Sequence, residues 1–341
     1  MHSAWVVGIA AAFLAWLLTG LVRRHALRAG ILDVPNERSS HRVPTPRGGG
    51  LAIFVTVSLG AVALWLGSLI EDEVAWAMLL GGSLVAAVGY IDDRAGLSAR
   101  VRLSVHAIAA LVVFVALGPS TLAAAMLPGW PLPAALALLL VAFCWWINLF
   151  NFMDGIDGIA ASEAVFIASA GALLTLYGGG PSGQVGLAVL VAAASAGFLF
   201  WNWPPARIFM GDVGSGFLGF VLGLLAWYSV VATGAVSVWS WLILGSLFVA
   251  DATATLIRRA LRREPWYRAH RSHAYQQLSR RWNSHRRTTV AYAALNALVV
   301  LPLAILSVLW PDWASAIAIV WLAAAASMAV ACGAGRAEDR Q

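Results

Sequence analysis

The chain has 341 residues, of which 61% are hydrophobic and only 11% charged, with a mean hydropathy of +0.80. That composition excludes a soluble globular domain, with or without a single anchor, and describes a polytopic membrane protein. The formal charge of +6 comes from arginine alone, with no lysine; these arginines flank apolar runs, which points to topogenesis and anionic headgroups or substrates and away from nucleic acid.

Apolar runs of about 20 residues, enough to cross roughly 30 Å of hydrocarbon, occur near residues 3–22, 49–69, 74–91, 101–118, 132–150, 158–177, 184–203, 213–232, 236–257, 290–310 and 312–332. The expectation is an all-α integral membrane protein of about eleven transmembrane helices, a single polytopic domain over 1–341. The fourth and eighth runs are short enough to be tilted or partly re-entrant. All 22 basic residues fall on one side of this arrangement, and the loops of the other side hold only Glu71, Asp72, Glu73 and Asp312. The positive-inside rule then predicts the N-terminus outside and the C-terminus in the cytoplasm. The first run lacks a basic leader and a small-residue cleavage site, and Arg23 and Arg24 follow it directly; it reads as a retained helix and not as a signal peptide. Cys144 and Cys332 lie in separate runs, which excludes a disulfide framework.

The polar chemistry gathers in five loops on the arginine side, near 23–50, 91–102, 148–160, 204–216 and 258–289. In the first, Pro44-Thr45-Pro46-Arg47-Gly48-Gly49-Gly50 combines rigid prolines with glycines that admit close backbone approach and an arginine suited to phosphate. It also reads as a basic turn. The second places Asp92 and Asp93 directly after an apolar run, with Arg102 ten positions after Asp92. Adjacent carboxylates at a membrane edge are costly unless they meet cations, metal or water. The third, Asn148-Leu-Phe-Asn151-Phe-Met-Asp154-Gly155-Ile-Asp157-Gly158, repeats a polar side chain every third residue, so that each neighbours the next on a helical surface. Gly155 and Gly158 are placed to end that helix and admit a ligand closely. In the fourth, Phe209-Met-Gly-Asp212 ends where a helix begins, and Asp212 is open to two readings, helix cap or metal ligand. The fifth is rich in arginine and carries His270, Arg271, His273 and His285; two histidines three apart are too few for a zinc site, and an anion-binding arm fits better. Asp251, at the end of the ninth run, is a candidate for burial against a cation of the same side.

Carboxylates and amides on three loops, with arginines on two others, suit Mg²⁺ and phosphate. Mg²⁺ takes a few oxygen ligands and lets substrate phosphates complete its shell, and the arginine fork matches pyrophosphate. These five motifs, in this order, resemble the polyprenyl-phosphate N-acetylhexosamine-1-phosphate transferases over most of the chain. The resemblance implies transfer of an aminosugar-1-phosphate from a UDP-N-acetylaminosugar to undecaprenyl phosphate with release of UMP, in the bacterial inner membrane, and it allows a homodimer. It implies Asn151 and Asp212 as ligands of Mg²⁺, with Mn²⁺ as a substitute. Asp157 and Phe209 correspond to uracil contacts, and Arg102 to a phosphate-holding residue. Asp92 is similar to the residue assigned as base for the lipid phosphate; a phosphate monoester, with a second pKa near 6, is already mostly dianionic at neutral pH, so orienting metal and phosphate is the expected role. Asp93 and Asp154 complete the candidate catalytic carboxylates, and Arg47, Asn148, His270, Arg271 and His273 the candidate substrate contacts. Where the peptidoglycan members carry three successive histidines, this chain has His270-Arg271-Ser272-His273, which looks more like the subgroup that starts O-antigen or other surface glycans. Two rivals fit less well. CDP-alcohol phosphotransferases require an Ala-Arg after the first Asp-Gly, absent at Gly158-Ile-Ala-Ala-Ser162, and a transporter or flippase would want polar residues at mid-membrane or on both faces.

Overall fold

The computed structural model describes residues 2–35, 43–234, 236–264 and 270–336, without the side chains of residues 2–6 and 233. Residues 36–42 of the first loop and 265–269 of the fifth lie outside the described residues. In chain order the helices are α1 (His2–Ala29), α2 (Gly50–Leu66), α3 (Asp72–Trp76), α4 (Gly82–Ala95), α5 (Ala99–Leu117), α6 (Pro119–Met126), α7 (Leu132–Phe152) and α8 (Ile159–Tyr177). They continue as α9 (Ser182–Asn202), α10 (Asp212–Thr233), α11 (Val238–Leu244), α12 (Ser246–Leu261), α13 (Ala274–Trp282), α14 (His285–Leu295), α15 (Leu301–Leu309) and α16 (Ala314–Cys332). A π-helical turn, Ala77–Gly81, joins α3 to α4, and another, Asn296–Val300, joins α14 to α15. The β structure among the described residues is one antiparallel pair, β1 (Leu32–Asp33) with β2 (Thr45–Pro46).

The protein is an all-α polytopic membrane protein. Each of the eleven predicted runs holds a helix, but the described residues contain nine unbroken helices long and apolar enough to span, and ten if α11 and α12 count as one. The ninth predicted run is that broken pair, bent by 77°. Gly245 sits at the break, and a Cβ there would lie 2.4 Å from the Trp146 ring, so the bend accommodates an indole from α7. The second run, α2, has only 17 residues. The fourth and eighth runs are full spans, Ala99–Leu117 and Asp212–Ala232, because their polar first turns, carrying Arg100, Arg102 and Asp212, are helical even though they are not apolar.

α10 is the centre of the bundle, packed against α2, α4 and α7 with Phe217, Phe220 and Val221 fully buried. Lipid offers apolar side chains as good a home as protein does, so membrane helices associate chiefly through close fit. Here the fit is made by glycine. A Cβ on Gly50 of α2 would lie 2.2 Å from the Gly214 Cα, and one on Gly89 of α4 would lie 2.4 Å from the Asp212 carbonyl oxygen. These contacts pin α2 and α4 to the first turn of α10, where the charged loops meet.

Candidate active site

The first N–H groups of a helix have no partner within it. At α10 they are satisfied from outside: Asp93 of α4 accepts hydrogen bonds from the N–H of Asp212 (2.9 Å) and of Val213 (3.3 Å). Gly211, at φ +76°, brings the chain so close that a Cβ would lie 2.5 Å from the Asp93 carboxylate. Of the two readings open for Asp212, the cap is therefore supplied by Asp93, and the Asp212 carboxylate is turned toward two arginines. Its Oδ1 lies 3.1 Å from Arg47 Nη2 and its Oδ2 3.3 Å from Arg102 Nη1. Arg47 Nη2 also bonds Asp93 Oδ1 at 2.8 Å, and Arg102 Nη1 bonds Asp92 Oδ2 at 2.7 Å. The result is a chain Asp93–Arg47–Asp212–Arg102–Asp92 across four elements. Burial opposes the charge on Arg47, but Asp93, Asp212, Asp33 and Asp154 outweigh it and raise the guanidinium above its usual value.

Two groups in this cluster have no hydrogen-bond partner among the described residues. The Arg102 Nε–H is buried without an acceptor among the described residues, although buried donors are almost always paired. Asp154, half-buried beside the cluster, has no hydrogen bond or ion pair to its carboxylate among the described residues. Burial, with Asp212, Asp93 and Asp157 nearby, pushes its carboxyl well above the usual range while Arg47 pulls the other way. With all four carboxylates ionised, Asp92, Asp93, Asp154 and Asp212 outnumber the two guanidiniums by two charges.

Arg47 is held because the first and fourth loops are zipped together. Phe209 N–H donates to the Pro46 carbonyl (2.8 Å), Gly49 N–H to the Phe209 carbonyl (2.9 Å) and Gly50 N–H to the Met210 carbonyl (2.9 Å). Gly49 and Gly50, two of the three glycines expected to admit an anion, thus admit the fourth loop instead. Phe209 is half-buried in the same ladder.

The polar stripe of the third loop does not converge on one point. Asn148 turns into the bundle, its Nδ2 donating to the Cys144 carbonyl (2.7 Å) and to His106 Nδ1 of α5 (3.2 Å). Asn151 turns to the first turn of α10, where its Nδ2 donates to Ser215 Oγ at 2.9 Å, leaving Oδ1 without a partner among the described residues. Asp157 braces three segments. Its Oδ2 accepts from Ala206 N–H (3.0 Å), its Oδ1 lies 3.1 Å from His285 Nδ1, and its carbonyl accepts from Thr289 Oγ1 (2.9 Å). The uracil contact implied for Asp157 competes with these bonds. Gly155 and Gly158 admit protein, since a Cβ on Gly155 would lie 2.1 Å from Tyr275 Oη, and Gly158, at φ +77°, donates its N–H to Asn202 Oδ1 at 2.9 Å.

The fifth loop is built on Asp251. This carboxylate, 1% exposed, caps α13 from α12 by accepting from the N–H of Ala274 (2.8 Å) and Tyr275 (3.0 Å). Thr255 Oγ1 (3.1 Å) and Tyr292 Oη (3.3 Å) donate to it as well, and His273 Nδ1 lies 3.5 Å away. The cation expected beside Asp251 is thus replaced by N–H groups, hydroxyls and an imidazole. His270 stacks on His273 with ring centres 4.9 Å apart, and burial together with His273 and Arg259 drives its pKa down to about 3, so that it is a neutral ring bonded to Ser272. Tyr275 reaches the third loop, its Oη donating to the Phe152 carbonyl at 3.0 Å. Arg271 accepts a bond from Arg280 Nη2 through its carbonyl (2.6 Å).

Arg47, Asp92, Asp93, Arg102 and Asp212 are joined by direct bonds, and Asn151 and Asp154 border them. Asn148, Asp157, His270, Arg271 and His273 stand around this group in supporting contacts. His106, Asn202 and Ser215, which sequence reasoning passes over, and His285, marked there only as part of the basic fifth loop, supply the bonds that aim Asn148, Gly158, Asn151 and Asp157. His285 and Thr289, four apart on one helical face, were the one local signal for such a brace.

Residues 75–230 match the model of glycosyl transferase family 4. The chain is 33% identical over 295 residues to a probable undecaprenyl-phosphate N-acetylglucosaminyl 1-phosphate transferase of Bacillus subtilis, covering 82% of this chain and 80% of that protein. It is 30% identical to the decaprenyl-phosphate N-acetylglucosaminephosphotransferase of Mycobacterium tuberculosis, over 84% of this chain and 78% of the relative. A phospho-N-acetylmuramoyl-pentapeptide-transferase of Thermosynechococcus vestitus is 32% identical over 74% and 68% of the two chains. With the charged loops assembled around the start of α10 in a polytopic helical bundle, and with relatives aligned over most of its length, the chain belongs to the polyprenyl-phosphate N-acetylhexosamine-1-phosphate transferases of glycosyl transferase family 4.

Proposed function

We propose that the protein transfers an N-acetylaminosugar-1-phosphate from a UDP-sugar to undecaprenyl phosphate on the cytoplasmic face of the bacterial inner membrane, starting a lipid-linked surface glycan. An oxygen of the acceptor phosphate forms a bond to the β-phosphorus of the donor. The bridging P–O bond breaks, and UMP leaves with the bridging oxygen. The observation that carries this reading is the acidic chain at the start of α10, where the Asp154 carboxylate and the Arg102 Nε–H have no hydrogen-bond partner among the described residues.

The residues fit Mg²⁺, with Mn²⁺ as a substitute. Among the described residues no three His, Cys, Asp or Glu side chains form a closed metal cage, and Mg²⁺ characteristically takes one or two carboxylates and completes its shell with water and substrate phosphate. Asp212 and Asn151 Oδ1 would hold it, and when bound it supplies neutralisation of the donor's diphosphate. Arg102 can then offer its Nε–H to a phosphate oxygen while Asp92 fixes the guanidinium plane. Arg47 plays the matching part from the first loop, aligned by Asp93. Such transfers depend mainly on positioning and charge neutralisation, which is what these bonds provide.

The test is UMP release from membranes containing the protein, undecaprenyl phosphate, Mg²⁺ and each of a panel of UDP-N-acetylaminosugars. Release with one donor, abolished by excess chelator, is expected. Folded protein that releases no UMP with any donor overturns the reaction, and full activity in chelator overturns the metal.

A further inference from the structure

Away from the charged cluster, α8 carries a carboxyl group that the proposed reaction does not use. Glu163 is 1% exposed in the interior of the bundle, and Asn296, which opens the π-helical turn after α14, is likewise 1% exposed. Asn296 Nδ2 donates to Glu163 Oε2 at 2.6 Å. The two remaining oxygens, Glu163 Oε1 and Asn296 Oδ1, are both buried without a donor among the described residues. No arginine or histidine is bonded to Glu163 there, and the neighbouring Tyr292 spends its hydroxyl on Asp251.

A carboxylate offers only acceptors, so an ionised Glu163 would leave two bare oxygens and an unneutralised charge inside a membrane bundle, where both are heavily penalised. One proton removes all three defects, since a carboxylic acid is a donor on one oxygen and an acceptor on the other. We propose that Glu163 and Asn296 form a neutral, cyclic acid–amide pair, with Oε1–H donating to Asn296 Oδ1, and that this pair positions Asp157.

The positioning follows from where the pair lies. His285, Thr289 and Asn296 fall on one face of the same helix, at spacings of four and seven, which is one and two turns. His285 and Thr289 hold the side chain and the carbonyl of Asp157, and Asn296 holds Glu163, six residues further along the chain. α14 is therefore fastened to the third loop and α8 at three levels, and the acid–amide pair is the only one of the three inside the apolar part. The π-helical turn starts at Asn296, and such turns re-aim side chains within an otherwise regular helix.

The proposal rests on the reading of Asp157 as a brace of the nucleotide-sugar site, but its central claim is tested without activity. Infrared difference spectra between the full-length protein and Glu163→Gln at neutral pH should show a carboxylic-acid carbonyl band lost in the variant; loss of an ionised-carboxylate band instead would overturn the pair. Glu163→Gln is expected to keep the thermal midpoint and turnover, because two carboxamides make the same ring. The double variant Glu163→Gln/Asn296→Asp, which moves the acid across the pair, should behave likewise. Glu163→Ala should raise KM for the UDP-sugar several-fold with a smaller change in kcat. Equal losses of midpoint and of kcat in Glu163→Ala and Glu163→Gln would show that the charge is what matters and sink the acid–amide pair. An intact infrared signature with unchanged KM in Glu163→Ala would leave a neutral acid and overturn its positioning role.

Discussion

The helices α10 and α13 start in the same way and end up doing different things. Each is capped by an aspartate from a neighbouring helix, Asp93 for α10 and Asp251 for α13, and each cap accepts two consecutive backbone N–H groups. At α13 the cap is closed over: His273, Thr255 and Tyr292 surround the carboxylate. At α10 the capped helix carries a second carboxylate, Asp212, in its first turn, which faces two arginines, with Asp154 nearby. A helix N-terminus favours negative charge, so Asp93 and the helix stabilise one another, while Asp212 spends its oxygens on the two arginines and not on the helix. An acid beside a basic group therefore says little by itself; what matters is whether its oxygens are spent on the backbone of the fold, as at Asp93 and Asp251, or on side chains that a ligand can take over, as at Asp212.

Function and stability should separate at these two helix starts. Asp212→Ala should lower turnover by about 10²–10³-fold, the scale of a lost charge-stabilising group at a reacting centre, with the thermal midpoint unchanged or raised because the carboxylate is crowded by others. UMP release and thermal unfolding on the same preparation decide it, and a large fall in the midpoint would remove the distinction. The counterpart, Asp251→Ala, should cost about 2–3 kcal/mol of stability, two buried cap bonds and their orphaned donors, while the folded fraction keeps its turnover. A turnover loss as large as that of Asp212→Ala would make the fifth loop part of the chemistry.

Two smaller effects sharpen the picture at α10. Asn151→Ala should lose about 10–100-fold in activity, with the Mg²⁺ requirement shifted to higher concentration, as expected for a group at a metal shell. Asn148→Ala, whose partners are Cys144 and His106, should lose less; the reverse order of rates would overturn the assignment. Asp92→Asn should show a modest loss, similar at about pH 6 and about pH 8.5, because a lipid phosphate with a second pKa near 6 needs little help to ionise. Activity that is absent at the lower pH and recovers at the higher would restore a base role to Asp92.

The sequence was most legible where one physical property repeats along the chain. Runs such as Leu132–Phe152 declare themselves because hydrocarbon thickness sets helix length. Arg47, the Asp92–Asp93 pair, Asn151 and Asp212 stand out because polar groups beside such runs need a reason. The bend at Gly245 was not legible, since it depends on Trp146 from a distant helix. Nor was the division of labour in the third loop: Asn148, Asn151, Asp154 and Asp157 are evenly spaced in sequence, yet they face His106, Ser215, the open cluster and His285 respectively. Their even spacing is a helical property only as far as Phe152, where α7 ends.

Hydropathy and charge, being local properties of each segment, are enough to specify a polytopic helical bundle and the set of loops that carry the polar chemistry. Which carboxylate caps a helix and which pairs with arginines instead was decided by the tertiary structure alone. Asp93 and Asp212 are 119 residues apart, and only the glycine-tight packing of α4 and α2 on α10 brings them, Arg47 and Arg102 within bonding distance.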